Sequence, residues 1–222
     1  MKSKSLNLLP PDALLKTGDV DHADWNHKFL LGTISRARFH LIKRLLGERH
    51  GARLLEIGYG SGVFLPELAK YAGEIYGVDV HQEHEKVAER LAAFDVRVKK
   101  LTAGGAETMD WETDFFDFAI AVSALEFVDN LDEVCEEVKR ILKPSGSFFV
   151  VTPGQSPLLD FGLKMLTGKS AKEDFADRRE MILPTLHKHF DVKKQLAYPR
   201  FGSSLIKLYT ALELQPKRFK IL

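Results

Sequence analysis

The sequence predicts an α/β protein whose mostly parallel sheet is covered by helices on both faces. Three observations carry that expectation. Short apolar runs alternate with helical patterns, and the first run ends in a glycine-rich turn that opens onto a helix. The third is size: 222 residues, 45% hydrophobic and 28% charged, suffice for one sizeable core.

Residues 1–24 are mixed and broken by turn formers, and read as an arm. From 25 to 46, apolar Phe29, Leu30, Ile34, Phe39, Ile42, Leu45 and Leu46 recur at helical spacing, so one or two helices precede the sheet. The run 54–57 is a first strand, with a helix expected over 63–72. Residues 75–79 form a second strand that ends on Asp79, followed by a helix over 83–93 rich in good helix formers. A third strand is expected at 96–98 and a fourth at 118–122. A helix then covers 131–142, and a fifth strand spans 147–151 after the turn Lys143-Pro144-Ser145-Gly146. After Pro153 the rhythm breaks. Leu158, Leu159, Phe161, Leu163, Met165 and Leu166 form an apolar, helical-looking stretch within 157–168, and 178–189 reads as another helix, so 154–189 is a lid-like insert. Residues 190–198 and 204–214 would close the sheet as an antiparallel hairpin. The whole chain, 1–222, is expected to be one domain: arm and helices 1–46, core 50–153, insert 154–189, closing strands 190–222.

Composition narrows the partners. With 32 Lys and Arg against 31 Asp and Glu, the net charge of +1 offers no electrostatic grip on nucleic acid or an anionic membrane. Cys135, the single cysteine, can form neither an internal disulfide nor a cysteine metal cluster, and no metal is expected. Pro10, Pro11 and Asp12 break the N-terminal apolar stretch, and no run approaches the roughly 20 apolar residues that span a bilayer. A cytoplasmic protein without integral membrane association is the expectation.

A strand that ends in glycines just before a helix presents backbone N–H groups at a positive helix terminus, where nucleotide-like ligands bind. Here the glycines are Gly58, Gly60 and Gly62. The dinucleotide fingerprint wants a small residue where Val63 stands, and no phosphate-binding G-x-x-x-x-G-K-[ST] run occurs. Glu56 would repel a pyrophosphate but pair with an ammonium. Asp79 ends the next strand, where a carboxylate can accept hydrogen bonds from both hydroxyls of a ribose. The bland alternative is a plain turn followed by a helix cap. The joint spacing favours instead a nucleoside that carries a cation.

The runs LLEIGYGSG, YGVDV and ILKPSGSFFVVTP, within residues 50–153, resemble the class I S-adenosylmethionine-dependent methyltransferases, in particular their small-molecule group. The resemblance implies a Rossmann-like sheet of seven strands, the last antiparallel, with S-adenosylmethionine lying across the strand C-termini. It implies that Glu56 faces the methionine amino group, that Gly58, Gly60 and Gly62 line the methionyl and ribose portions, and that Asp79 takes the ribose hydroxyls. Val80 and His81 would lie near the adenine, and Ser123 and Ala124 would border the methionyl arm.

Two departures stand out. Gly104-Gly105-Ala106-Glu107 resembles the family's G-D-A-E but lacks the aspartate that commonly meets the adenine amino group. Ala106 is left to offer its N–H and Glu107 its carboxylate, against the alternative of a solvated glutamate. In Ser123-Ala124-Leu125-Glu126-Phe127-Val128, Phe127 stands where the family often has histidine.

Methyl transfer from a sulfonium is an in-line displacement that needs positioning more than a base. His22, His27, His81 and Glu126 are candidate bases, each more commonly a packing or surface residue, so no catalytic residue is assigned. Tyr59, Trp25 and Trp111 are candidates for cation–π contact, with core packing as the default. An apolar insert favours a small acceptor with an apolar portion, such as a quinone or lipid-like molecule. The same residues also suit a membrane contact or plain packing on the sheet. The alternatives carried forward are a non-catalytic S-adenosylmethionine-binding subunit that needs a partner chain, a methyltransferase acting on a protein, and a nicotinamide-dependent dehydrogenase, which Val63 disfavours.

Overall fold

The structure, a computed structural model, describes residues 5–18, 21–154, 171–199 and 207–217. The apolar stretch 157–168 of the expected lid-like insert lies wholly outside the described residues.

Seven strands form one sheet in the order β3-β2-β1-β4-β5-β7-β6. They are β1 (Gly51–Ile57), β2 (Ala72–Asp79), β3 (Lys100–Ala103), β4 (Phe116–Val122), β5 (Leu142–Pro153), β6 (Phe190–Tyr198) and β7 (Tyr209–Pro216). β1, β2, β3, β4 and β5 pair in parallel, whereas β7 runs antiparallel to both β5 and β6, closing the sheet with the hairpin expected from the sequence.

The helices are α1 (Phe29–Leu46), α2 (Leu65–Leu68), α3 (His84–Ala92), α4 (Leu131–Ile141) and α5 (Ala171–His189). α4 shows why such segments become helical. The Asn130 side chain caps its start by accepting from the Glu133 N–H, Asp132 and Glu133 occupy the first turn, and Lys139 and Arg140 the last, matching the helix dipole. Its apolar Val134, Cys135, Val138 and Ile141 are buried.

Strand alternation divides these helices between two cores. Leu54, Ile120, Phe149 and Ala211 face α1, α2 and α3, together with Leu9 and Ala13 of the N-terminal arm. Leu55, Ala119, Phe148 and Leu212 face α4 and α5. Among the described residues, no helix is long and apolar enough to cross a membrane.

Three expectations shift. The third strand is not at 96–98 but at Lys100–Ala103, because Val96 is used to finish α3. Asp95 turns left-handed (φ 59°), the Val96 N–H bonds to the Leu91 carbonyl, and pairing with β2 resumes only when the Lys99 N–H reaches the Ile75 carbonyl. The helix over 63–72 shrinks to α2, since Gly62 and Leu65 spend their N–H groups on the turn and Ala72 already pairs with Gly51. The turn expected at Lys143-Pro144-Ser145-Gly146 falls inside β5, while the helices expected before the sheet are the short 3-10 helix Ala23–His27 and α1.

Candidate functional site

The sheet order reverses between β1 and β4, and a cavity of about 900 Å³ opens beyond the C-terminal ends of β1, β2 and β4. One wall is the loop after β1. Gly58 has φ 73°, and a Cβ there would lie 2.5 Å from the Ala124 Cβ, so both backbone conformation and space require glycine. Gly60 has φ 51° and lies beside Asp21 of the arm. Gly62, with φ 73°, faces away from the cavity. It is absent from the cavity lining, and a side chain there would press on Val87 and Leu91 of α3, so its role is helix packing.

Glu56 is the one polar residue of the buried end of its strand, Leu54 to Ile57, and alternation turns it toward the α1 side of the sheet. It is 3% exposed, and its Oε2 has no hydrogen-bond partner. Burial, with the nearby Asp79 charge adding to it and Arg38 opposing, pushes its carboxyl well above the usual carboxylate range. A cation seated there would relieve that cost.

Asp79, at the end of β2, accepts the Gly60 N–H through Oδ2 at 2.7 Å and the His81 N–H through Oδ1 at 3.4 Å. A carboxylate has about four acceptor sites, so capacity remains for a ligand's hydroxyls. His81 braces the loop: its Nε2 bonds to the Gly60 carbonyl at 3.0 Å, its Nδ1 accepts the Glu83 N–H at 3.1 Å, and its ring meets Tyr59 edge-on. Both ring nitrogens are thereby engaged, which removes it from the candidate bases. The Nε2 of His27 bonds to the Leu9 carbonyl at 3.0 Å, and His27 does not line the cavity. Val80 is exposed at the rim.

At the remaining wall, Ala106 is buried, and the Glu107 carboxylate folds back over Gly105 into the space a side chain at that position would fill. Ser123 ends β4 in a left-handed conformation (φ 53°) rare for serine, with its Oγ buried and unpartnered. Buried polar groups without partners are uncommon in folded proteins, and those of Glu56, Tyr59, Ser61 and Ser123 converge on this one cavity. Of the residues implied by the resemblance, Glu56, Gly58, Gly60, Asp79, Val80, His81, Ala106, Glu107 and Ser123 all line it.

The arm contributes more than the sequence suggested. Thr17, Gly18, Asp21, His22, Ala23 and Trp25 line the cavity, and the Leu9 N–H bonds to the Val63 carbonyl, tying the arm down beside the loop. Sequence reasoning also missed Arg38 on α1, Arg179 on α5 and Tyr209 on β7, which close the far end together with Glu126.

Residues 55–150 match the family described as methyltransferase domain. The chain is 32% identical to a sterol 4-C-methyltransferase of Caenorhabditis elegans over 43% of this chain and 29% of that protein. It is 28% identical to a mitochondrial ubiquinone biosynthesis O-methyltransferase of Rattus norvegicus over 49% of this chain and 32% of that protein. The chain thus spans about a third of the length of these curated relatives. Among solved structures, a SAM-dependent methyltransferase of Aquifex aeolicus superposes with a TM-score of 0.60 at 16% identity, covering 84% of this chain and 98% of that one.

Proposed function

We propose, for a chain that belongs by its methyltransferase domain and its sheet to the class I S-adenosylmethionine-dependent methyltransferases, that it methylates a small acceptor in the cavity at the ends of β1 and β4. The observation that carries this reading is the buried, unpartnered Glu56 carboxyl across the glycine loop from Asp79, a pair suited to a nucleoside with a cationic end. The cofactor supplies a methyl group on a sulfonium, a good leaving group.

The protein's part is to bind, orient and exclude water. Glu56 would accept from the methionine ammonium, and Asp79 from the ribose hydroxyls. The Ser123 Oγ is free to bond along the methionyl arm. Glu107 supports an adenine reading, since its carboxylate fills the space above Gly105 that the family's aspartate would occupy. The acceptor would enter from the far half, along the apolar residues Trp25, Ile34, Phe127 and Leu208, where water is displaced and the nucleophile held in line. The printed activities of the relatives, on a sterol and in ubiquinone biosynthesis, are in keeping with a small acceptor that has an apolar portion.

Calorimetric titration with S-adenosylhomocysteine tests the site. Asp79→Ala and Glu56→Gln should each weaken binding by roughly 1.5–3 kcal/mol, the loss typical of a hydrogen bond to a charged group. Unchanged affinity in folded variants would refute the assignment.

A further inference from the structure

The far end of the cavity holds charges that cofactor binding does not use. Arg38 from α1, Arg179 from α5, Glu126 from the short 3-10 turn after β4 (Leu125–Phe127) and Tyr209 from β7 meet there. The Nε of each arginine and the Oε2 of Glu126 are buried without a partner, and Glu126 is 2% exposed. Apolar Leu31, Ile34, Phe127 and Leu208 border them.

We propose that this end is an anion subsite, and that the methyl acceptor is an organic acid whose carboxylate or phosphate sits against Arg179 while its apolar body lies on Ile34, Phe127 and Leu208. The inference rests on the methyl-transfer reading for its word "acceptor", and on the charge count for the rest. Two guanidiniums keep their charge at any physiological pH, whereas among the described residues the carboxyls that face them are Glu126, toward both, and Glu56, toward Arg38 alone, and burial raises both carboxyls toward the neutral form. A buried guanidinium Nε with no acceptor is costly, so an occupant that brings a negative oxygen is stabilised where a neutral one leaves these donors unmet. Planar, forked guanidinium donors suit an oxyanion in particular.

Glu126 makes the subsite sensitive to pH. Burial lifts its carboxyl to about 7, although the charges of Arg179 and Arg38 oppose the rise. The groups that face it are those arginines and Tyr209, whose hydroxyl burial holds above its ordinary range. Below pH 7 Glu126 is mostly neutral and the two arginines are open to the ligand. Above it, the carboxylate competes for them, so an anion binds more weakly as pH rises.

The test saturates the protein with S-adenosylhomocysteine and titrates 2-naphthoate, 2-naphthyl phosphate and neutral 2-naphthamide. At pH 6 at least one anion should bind about tenfold or more tightly than the amide, and the stronger of the two anions identifies the acid class. Arg179→Gln should remove that preference and leave the amide unaffected, and Arg179→Lys should restore part of it. Glu126→Gln should abolish the loss of 2-naphthoate binding between pH 6 and 8, a range over which that probe keeps a constant charge. Equal binding of amide and anions, no binding of either anion, or an Arg179→Gln variant that weakens all three probes alike would overturn the proposal. If S-adenosylhomocysteine fails to bind while the anion preference persists, the methyl-transfer reading fails and the subsite stands. If it binds and no preference appears, the subsite alone fails.

Discussion

Gly58 and Gly60 differ in what they demand, although both are loop glycines with positive φ. At Gly60 a methyl group would meet open space, with the Asp21 carboxylate 3.9 Å away, so alanine pays mainly for the left-handed backbone. At Gly58 the Ala124 Cβ stands in the way as well. Gly60→Ala should therefore cost about 1–2 kcal/mol of stability, and Gly58→Ala roughly 2–4 kcal/mol, with the larger loss of S-adenosylhomocysteine affinity. Urea melts and calorimetry on both variants check the ranking, and equal losses would contradict it. Glu56 and Asp79 were legible in the sequence because each is a lone carboxylate at the end of an apolar run. Arg38 and Arg179 were not. Both sit in helices dense with charge, such as Arg36-Ala37-Arg38 and Arg178-Arg179-Glu180, and only the fold turns one of each neighbouring pair toward the cavity. Gly62 shares the spacing of the loop, while the space a side chain there would take is held by Val87 and Leu91 of α3.

Among the elements, the central strands are joined by Asp117 as well as by their ladders. Its Oδ2 accepts the N–H groups of Ala52 and Arg53 on β1, each at 2.9 Å, and its Oδ1 accepts from Lys143 on β5 at 2.7 Å. Burial alone would raise this carboxyl, but Lys143 and the two backbone donors outweigh it and hold it below the usual range. A carboxyl lowered by folding adds stability that is present above its unfolded value, about 3.9, and is lost as pH falls through its folded one. Asp117→Asn should thus cost roughly 1–2 kcal/mol at pH 7 and progressively less as pH falls below about 3.9, which melts across the acid range will show. A loss that does not change with pH would contradict this account of the joint. The apolar runs made four of the seven strands legible, β1, β2, β4 and β5, and the closing hairpin showed in outline. β3 was displaced because the two valines of 96–98 mimic a strand core, yet one of them caps α3 through a left-handed Asp95, which propensity does not foresee. α2 was overextended because its apolar residues continue past the point where the register of β2 claims the backbone.

For the molecule as a whole, the reversal of strand order between β1 and β4 creates the cavity, and every wall comes from a different stretch of the chain. The cofactor side could be read in advance because its residues follow their strands directly, at Gly58, Asp79 and Ser123. The far side is assembled by α1, α5, β7 and the arm, whose meeting is a tertiary fact with no local spacing to announce it. The central claim is that this cavity takes a nucleoside with a cationic amino acid end. The most direct measurement is calorimetric titration of the purified protein with S-adenosylmethionine and S-adenosylhomocysteine, with NAD as control. The account predicts binding of the first two in the micromolar range, one molecule per chain, and none of NAD. A folded protein that binds neither, or that prefers NAD, would contradict it.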